Sequence, residues 1–323
     1  MYAHYSIHDE ANTIENNMAT KKTPLTRWQK ALPFIKKHQH PLALILLLAL
    51  GLITRFWLFG YPNTAVFDEV YFGKFVSSYY THQYFFDIHP PLGKLLIAGF
   101  AWLFHYSPTQ SFSSIGAVYT DNTYMILRFL PSLAAALLPI TFYSLSRELG
   151  FKTRTALIVG LAIVFENAFI TQGRFILIDS FLLLFGFAGM WAYFAWHNRR
   201  GKLRLILAAV LIAGAVSVKW TGLGFLAIPL LCEVVQYLRT KNLARLIRTG
   251  LTLVVIPLVL YTTFFAIHLS LLSRTGDGDA FMTTGFQKTL SGSTYETDET
   301  IVKLDLPSKI IELNYQMYAA NAR

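Results

Sequence analysis

Seven apolar runs separated by short basic linkers constrain the fold of this chain more than any other feature. A helix needs roughly 20 residues to cross about 30 Å of hydrocarbon. Hydrophobic residues make up 54% of the 323 residues and charged residues only 14%, which is too apolar for an ordinary soluble enzyme. The sequence therefore predicts an all-α polytopic membrane protein with spans at 41–60, 126–146, 155–172, 176–196, 205–220, 222–238 and 250–269.

The basic linkers predict the orientation of these spans. If all seven runs cross the membrane, the linkers after the second, fourth and sixth runs lie on the same side as the basic tail 1–40. Cytoplasmic loops carry an excess of Lys and Arg, so that side is predicted to be cytoplasmic. The domains expected are a cytoplasmic tail 1–40, a transmembrane domain 41–270 with an extracytoplasmic loop 61–125, and an extracytoplasmic segment 271–323.

Charge and cysteine content exclude other classes of protein. The net charge of +10 comes from clusters between apolar runs and not from one polar face, which argues against nucleic-acid binding. The single cysteine, Cys232, lies in an apolar run, so the chain has no internal disulfide and no thiolate metal site. A transporter would place its key charges near mid-bilayer, whereas most unusual polar residues here fall at one predicted face.

The loop 61–125 carries an acidic pair and a His-Pro-Pro turn. Asp68 and Glu69 are adjacent. One of these carboxylates could act as a general base on an acceptor hydroxyl, or the pair could simply stabilise a helix N-terminus. His89, followed by two prolines, either positions a substrate or provides a rigid entry into an amphipathic segment at 92–104.

Three cations lie at the predicted outer ends of apolar runs: Arg128, Arg174 and Lys219. They either hold the phosphate of a substrate or reach towards lipid headgroups at the membrane surface. Asp179, which lies inside the fourth predicted span, is expected to pair with a polar neighbour. The loop aromatics, Tyr71 among them, fit either an interfacial belt or the border of a sugar or peptide groove.

Seven sequence blocks follow one another along the chain: FDEVYFGKF, DIHPPLGKLL, LRFLPSL, QGRFILIDSFLL, AVSVKWTGLGF, HLSLLSRTGDGDAFMTTGFQKTLSG and IIELNYQMYAANAR. In this order they resemble the protein O-mannosyltransferases, a family of polytopic GT-C glycosyltransferases. The resemblance implies a GT-C transmembrane helix bundle whose extracytoplasmic loop carries the acidic motif. It also implies transfer of mannose, with inversion, from dolichyl- or polyprenyl-phosphate mannose to Ser or Thr hydroxyls of exported proteins.

The resemblance assigns roles to individual residues. Asp68 is the expected general base with Glu69 beside it, and Arg174, Lys219 and Arg128 are expected to bind the donor phosphate. The residues expected to position the acceptor are His89, Lys94, Asp87 and Tyr71. No cofactor or metal is required, although Mg²⁺ or Mn²⁺ bound by the acidic pair is an alternative. Tyr71 and Lys74 stand where many relatives have His and Gly, which bears on acceptor preference.

The chain lacks the β-trefoil domain that eukaryotic relatives insert after Thr289–Gly292, and it ends where relatives continue into further spans. These differences favour a C-terminally truncated, bacterial-type enzyme in the cell (inner) membrane, with the endoplasmic reticulum membrane as the alternative. Expected partners are the membrane, the lipid-linked donor, exported polypeptides, and either the export translocon or a dimer partner, with no nucleic acid. The competing functions are a transferase for a lipid or glycan acceptor and an inactive partner fragment.

Overall fold

The computed structural model describes residues 27–322, with side chains from residue 37 onward. Residues 1–26 of the predicted tail 1–40, and residue 323, lie outside the described part. The chain divides into two compact units, Met1–Ala43 and Leu44–Arg323. Helix α1 (Arg27–Phe56) begins in the first unit, is irregular at His38 (φ −109°, ψ 16°), and continues into the second.

The second unit is a helix bundle with an elaborated loop. After α1 its helices are α2 (Glu69–Thr81), α3 (Leu92–Leu103), α4 (Tyr124–Glu148), α5 (Thr153–Phe165), α6 (Asn167–Gln172), α7 (Asp179–Arg199), α8 (Lys202–Val218), α9 (Leu223–Thr240), α10 (Leu243–Leu271), α11 (Thr284–Gln287) and α12 (Leu306–Asn321). In the described residues, extended pairing is limited to the isolated bridges Thr64–Val118, Gln83–Arg274 and Arg274–Ser291. The predicted segment 92–104 is confirmed as helix α3.

Five helical segments in the described part are long and apolar enough to cross a membrane. They are Lys37–Phe56, Tyr124–Glu148, Asp179–Arg199, Trp220–Thr240 and Leu243–Leu271. The predicted run 205–220 corresponds to α8, which has 17 residues. The chain is therefore a multi-pass membrane protein.

The run 155–172 is not one continuous helix, so that part of the prediction is wrong. Helix α5 ends at Phe165, and Glu166 adopts an extended conformation (φ −69°, ψ 118°). The Glu166 carboxylate accepts a hydrogen bond from Phe169 N at 2.8 Å and thereby caps α6. Arg55 of α1 donates to the carbonyl oxygens of Ile163 (2.8 Å) and Val164 (2.7 Å). These two polar groups stabilise the break because they satisfy backbone groups that the interrupted helix leaves free.

Helix α8 lies among α3, α7 and α10 and fixes the centre of the bundle. Its alanines at 208, 209, 213 and 215 have no exposed surface. Gly189 of α7 packs so closely on α8 that an added Cβ would lie 2.8 Å from Ile212 Cγ1. Small residues permit such close approach between membrane helices. The C-terminal end of α8, where Lys219 follows, is likewise buried, with Ser217 and Val218 having no exposed surface.

The loop 61–125 folds back on itself after α2. His82 has a left-handed backbone conformation (φ 61°) and ends the helix. The next residues return along α2, because the Phe85 ring stacks on Phe75 at a centroid distance of 4.5 Å and meets Tyr79 edge-on at 5.5 Å. This return segment, residues 83–86, leads the chain to Asp87.

Candidate active site

The carboxylate of Asp68 lies just before the first residue of α2 and makes no hydrogen bond to another residue in the described part. Burial raises the pKa of Asp68 above its ordinary value. The charge of Lys219 lowers this pKa, and the charges of Asp179 and Asp87 raise it. Three charged groups from distant parts of the sequence therefore act on one carboxylate that is free to accept a proton.

Lys219 is held by Asp179. Its Nζ donates to Asp179 Oδ1 at 2.8 Å, and the two side chains are 19% and 31% exposed. Lys219 follows the end of α8 in an extended conformation, and Asp179 is the first residue of α7. The expectation that Asp179 pairs with a polar neighbour is confirmed, although Asp179 is the first residue of the membrane-spanning segment Asp179–Arg199 and does not lie deep inside it. Because an ammonium group has three N–H donors, two remain without a partner among the described residues.

Lys94 fixes the His-Pro-Pro turn from inside. Its ammonium group is 1% exposed, forms an ion pair with Asp87, and donates to the carbonyl oxygens of His89 (2.9 Å) and Pro90 (3.2 Å). The other Asp87 oxygen, Oδ1, accepts from His89 N at 3.2 Å. All three N–H donors of Lys94 are thus used, so this residue can act on a substrate only through the turn it holds.

The imidazole of His89 is partly buried beside the same charges. Burial lowers its pKa, Asp87 raises it, and Lys219 and Lys94 lower it further. The net direction is downward from the ordinary value, which favours a neutral ring at physiological pH. A neutral imidazole can donate one hydrogen bond and accept another, as positioning of a hydroxyl or sugar would require.

Glu69 has an environment opposite to that of Asp68. Its side chain is fully buried and forms a bidentate pair with Arg128, with Nε–Oε1 and Nη2–Oε2 distances of 2.7 Å. The Glu69 carboxylate also accepts from the backbone N–H groups of Val66 and Ile176, both at 2.9 Å, and from the Tyr119 hydroxyl at 3.2 Å. Five donors therefore occupy its two oxygens.

Arg128 is enclosed to the same extent. It donates further to the carbonyl oxygens of Pro62 (2.8 Å) and Thr64 (3.1 Å). Aromatic rings surround its guanidinium carbon at 4.8–5.5 Å, contributed by Tyr119, Tyr124 and Phe175. The expectations that Glu69 acts in catalysis and that Arg128 binds a donor phosphate do not fit this geometry. A metal shared by Asp68 and Glu69 does not fit either, because the Glu69 oxygens already accept N–H and O–H groups.

Arg174 forms no hydrogen bond or ion pair with Lys219 or Asp179 within the described residues. Its Nη2 donates to the carbonyl oxygen of Leu58 at 2.6 Å, and its buried Nε has no partner among the described residues. Burial lowers the Arg174 pKa, and so does the charge of Arg128. Tyr71, by contrast, is 59% exposed and lines a groove along α2 together with Lys74.

Sequence reasoning missed a network next to Lys219. The Trp220 indole donates to the Tyr261 hydroxyl at 2.9 Å, and that hydroxyl is hydrogen-bonded to Asn314. This network connects the Lys219 turn to α10 and α12. Trp220 is adjacent to Lys219 in the sequence, which could have drawn attention to it. No sequence pattern indicated Tyr261 or Asn314 as the partners of Trp220.

A family model described as dolichyl-phosphate-mannose-protein mannosyltransferase matches residues 45–273 of the chain. This chain belongs to that family. The mannosyltransferase relatives include mannosyltransferase 4 of Candida albicans, which is 34% identical over 79% of this chain and 36% of its own length. Protein O-mannosyl-transferase 1 of Rattus norvegicus is 34% identical over 78% of this chain and 36% of its own length.

The solved Saccharomyces cerevisiae protein O-mannosyltransferase Pmt1-Pmt2 complex, bound to the sugar donor, matches this chain with a TM-score of 0.75 and 30% identity. The match covers 80% of this chain and 37% of the yeast chain. The oligosaccharyltransferase of Archaeoglobus fulgidus, at 14% identity and a TM-score of 0.55, shares the fold. The predicted all-α GT-C-type bundle is confirmed. This chain spans about a third of the length of these relatives, between 33% and 37%.

Proposed function

We propose that this protein transfers mannose from a polyprenyl- or dolichyl-phosphate mannose to Ser or Thr hydroxyls of exported polypeptides. The observation that carries the proposal is the unbonded carboxylate of Asp68, beside a lysine that keeps two N–H donors available. A base and a phosphate-binding cation at one site match the needs of sugar transfer from a lipid phosphate. Membership in the mannosyltransferase family supports the choice of mannose.

The reaction we infer is a single displacement. The acceptor hydroxyl oxygen forms a bond to the anomeric carbon of mannose while the bond from that carbon to the phosphate oxygen breaks. The hydroxyl proton passes to Asp68, and the electron pair leaves with polyprenyl phosphate. Attack opposite the leaving group inverts the anomeric carbon. The raised Asp68 pKa makes the carboxylate a stronger base than an exposed aspartate.

Lys219 is the cation we assign to the leaving phosphate. Asp179 orients its ammonium group and leaves two N–H donors for phosphate oxygens. Arg174 is a second, separate candidate because its buried Nε lacks a partner in the described part of the chain. No metal is needed in this scheme, since fixed cations stabilise the developing charge.

The two buried ion pairs hold the site in shape. Glu69 and Arg128 connect α2 and α4 to the segments 62–66 and 176, and so fix the backbone at Asp68. Lys94 and Asp87 fix the turn that carries His89, whose neutral ring we assign to positioning the acceptor or the sugar. These pairs act through the backbone, not by contact with substrate.

We further propose an extracytoplasmic active site in the cell (inner) membrane, with the endoplasmic reticulum membrane as the alternative. The basic linkers of the α4–α5, α7–α8 and α9–α10 hairpins support this orientation. The yeast relative is solved as a Pmt1-Pmt2 complex, which supports a dimer partner of the same family. Association with the export translocon is consistent with exported acceptors.

Radiolabelled polyprenyl-phosphate mannose and a Ser-containing peptide test the proposal. The purified protein in lipid nanodiscs is expected to form mannosyl peptide, and the matched Asp68→Asn variant is expected to form almost none. Label that appears instead in a lipid or glycan acceptor would establish the competing transferase function. If the donor is not consumed with a peptide, a lipid or a glycan acceptor, the result would support an inactive partner fragment.

A further inference from the structure

A groove of about 320 Å³ runs along α2, the helix that directly follows Asp68. One wall is α2 itself, the floor is the return segment 83–86, and the opposite wall is the turn that follows α10. We call it the α2 groove. Its lining residues are Tyr71, Lys74, Phe75, Ser78, Gln83, Tyr84, Phe85, Phe86, Gly276, Asp277, Gly278 and Phe281.

The α2 groove begins at Tyr71, three residues after the candidate base Asp68. Tyr71, Phe75 and Ser78 follow Asp68 at spacings of three, seven and ten residues, which places them on one face of the helix. The return segment then runs back towards Asp87, whose charge acts on Asp68. A chain lying in the groove would therefore pass from the far end of α2 to the catalytic carboxylate.

The floor of the groove has a free strand edge. His82 O accepts from Arg274 N at 2.9 Å, Tyr84 N donates to Arg274 O at 2.8 Å, and Tyr84 O accepts from Gly278 N at 3.2 Å. Alternate residues of an extended segment direct their backbone groups to opposite sides, so Gln83 and Phe85 direct theirs away from these partners. Within the described residues, the N–H groups of Gln83 and Phe85 have no acceptor.

The far wall approaches the floor as closely as a backbone permits. A Cβ at Gly276 would lie 2.3 Å from Tyr84 O, and one at Gly278 would lie 2.3 Å from Phe86 N. The Phe281 ring stacks on Phe86 with a centroid distance of 4.4 Å and an angle of 16°. These contacts keep the wall fixed and give the groove an aromatic side.

Charge distinguishes the two walls. Lys74 is exposed on α2 and forms no ion pair in the described part, whereas Asp277 is exposed on the opposite turn. An extended peptide would fit these features. Its backbone would pair with the free strand edge, its side chains would contact the aromatic rings, and an acidic side chain would face Lys74 on α2. A lipid tail would not use the strand edge or the charges.

We propose that the α2 groove binds the acceptor polypeptide in extended form, and that Lys74 selects an acidic side chain near the target hydroxyl. This inference rests on the proposed function. Lys74 follows Asp68 by six residues, or about 9 Å along the helix at 1.5 Å per residue. An extended peptide covers that distance in about three residues at roughly 3.3 Å each. The selected acidic residue therefore lies about three positions from the mannosylated Ser or Thr, on one side only.

A set of synthetic peptides tests whether Lys74 selects an acidic side chain. Each peptide has one Ser and one Asp, placed three residues before or after the Ser. Matched peptides carry Asn or Lys in place of the Asp. One of the two Asp peptides is expected to have a KM about three- to tenfold below that of its Asn counterpart, as a partly enclosed charge pair would give. Lys74→Gln is expected to remove this difference, and Lys74→Glu to reverse it in favour of the Lys peptide. Lys303→Gln, an exposed lysine outside the groove, is the matched control.

Backbone pairing has a separate probe. N-methylation of alternate peptide amides is expected to weaken binding at every second position, since only one edge of the peptide would face Gln83 and Phe85. Equal KM values for all charge variants in wild type, or a preference unchanged by Lys74→Glu, would overturn the assignment of Lys74. Equal effects of N-methylation at every position would overturn the strand pairing.

A binding measurement separates this inference from the proposed function. Fluorescent peptides are titrated onto the Asp68→Asn variant in nanodiscs, where no transfer is needed. Charge-dependent binding that Lys74→Glu reverses, together with no mannose transfer by the wild-type protein, would support the groove and contradict the transfer reaction. Mannose transfer together with charge-independent binding would support the reaction and contradict the groove.

Discussion

The ammonium group of Lys219 lies 2.8 Å from Oδ1 of Asp179, and the charges of both residues act on Asp68 in opposite directions. Lys219 lowers the pKa of Asp68 and Asp179 raises it, while burial raises it most. The result is a carboxylate that binds protons more strongly than an exposed aspartate does. The basicity of Asp68 therefore depends on Lys219, which we also assign to the donor phosphate, and on Asp179, which orients Lys219.

Asp68→Asn is expected to abolish mannosyl transfer while leaving the fold intact. The carboxylate makes no hydrogen bond to another described residue, so an amide of the same shape disturbs no contact. Loss of a general base lowers the rate by on the order of a hundredfold to ten-thousandfold. Transfer rates and thermal unfolding of the same preparation provide the measurement. A variant that transfers mannose at the wild-type rate would remove Asp68 from the mechanism.

Glu69→Gln is expected to destabilise the protein, whereas Asp68→Asn is not. It leaves the buried Arg128 without its bidentate partner, and breaking such a pair costs about 3–5 kcal/mol. A lower Tm and a lower yield of folded protein in detergent are the expected readouts. Combining Glu69→Gln with Arg128→Met is expected to recover part of the loss, because no unpaired charge then remains buried. A Tm for Glu69→Gln equal to that of Asp68→Asn would contradict the structural role.

The pH profile of kcat/KM is expected to have an acid limb above the ordinary aspartate pKa. The base is active when deprotonated, and its raised pKa means that activity is lost as pH falls through that higher value. Lys219→Met removes the charge that lowers the Asp68 pKa, so the acid limb should move to higher pH. Lys303→Met serves as the control. An acid limb that stays in place in Lys219→Met would show that another group controls it.

Donor binding is expected to depend on Lys219 and, separately, on Arg174. A charge-assisted hydrogen bond to phosphate contributes about 1.5–3 kcal/mol, so each Met substitution should weaken binding of polyprenyl-phosphate mannose about ten- to a hundredfold. Asp68→Asn should leave donor affinity nearly unchanged. Titration of the donor onto each variant in nanodiscs is the measurement. Unchanged donor affinity in Arg174→Met alone would restrict the phosphate site to Lys219. Unchanged donor affinity in both variants would favour the alternative that these cations reach towards lipid headgroups.

Cysteine labelling tests the orientation of the bundle in the membrane. In a Cys232→Ala background, Ser291→Cys is expected to react with an impermeant thiol reagent added outside intact cells, and Thr240→Cys is not. Both positions are exposed in the structure, so an absence of labelling would reflect the side of the membrane and not burial of the residue. Ser146, which is buried, would be a poor reporter. Labelling of Thr240→Cys with Ser291→Cys silent would invert the topology.

The length of the apolar runs predicted most membrane-spanning helices within a few residues, because a helix that crosses hydrocarbon must satisfy its own backbone hydrogen bonds. The interruption at Glu166 was missed, since a break stabilised by Arg55 from a distant helix leaves no local pattern. The start of α7 at Asp179, three residues later than the predicted span, was missed for a similar reason. Local propensity does not register a partner such as Lys219, which lies 40 residues further along the chain.

The sequence by itself determined the membrane-spanning character, the family and the residues from which the site is built. Apolar run length and the order of motifs are properties of the chain. Only the tertiary structure decided which of two adjacent acids is free. Glu69 and Asp68 have the same chemistry, but Glu69 points into a cage of five donors and Asp68 does not. The role of a carboxylate depends on its desolvation and on the charges around it, and these come from residues distant in sequence that only folding brings together.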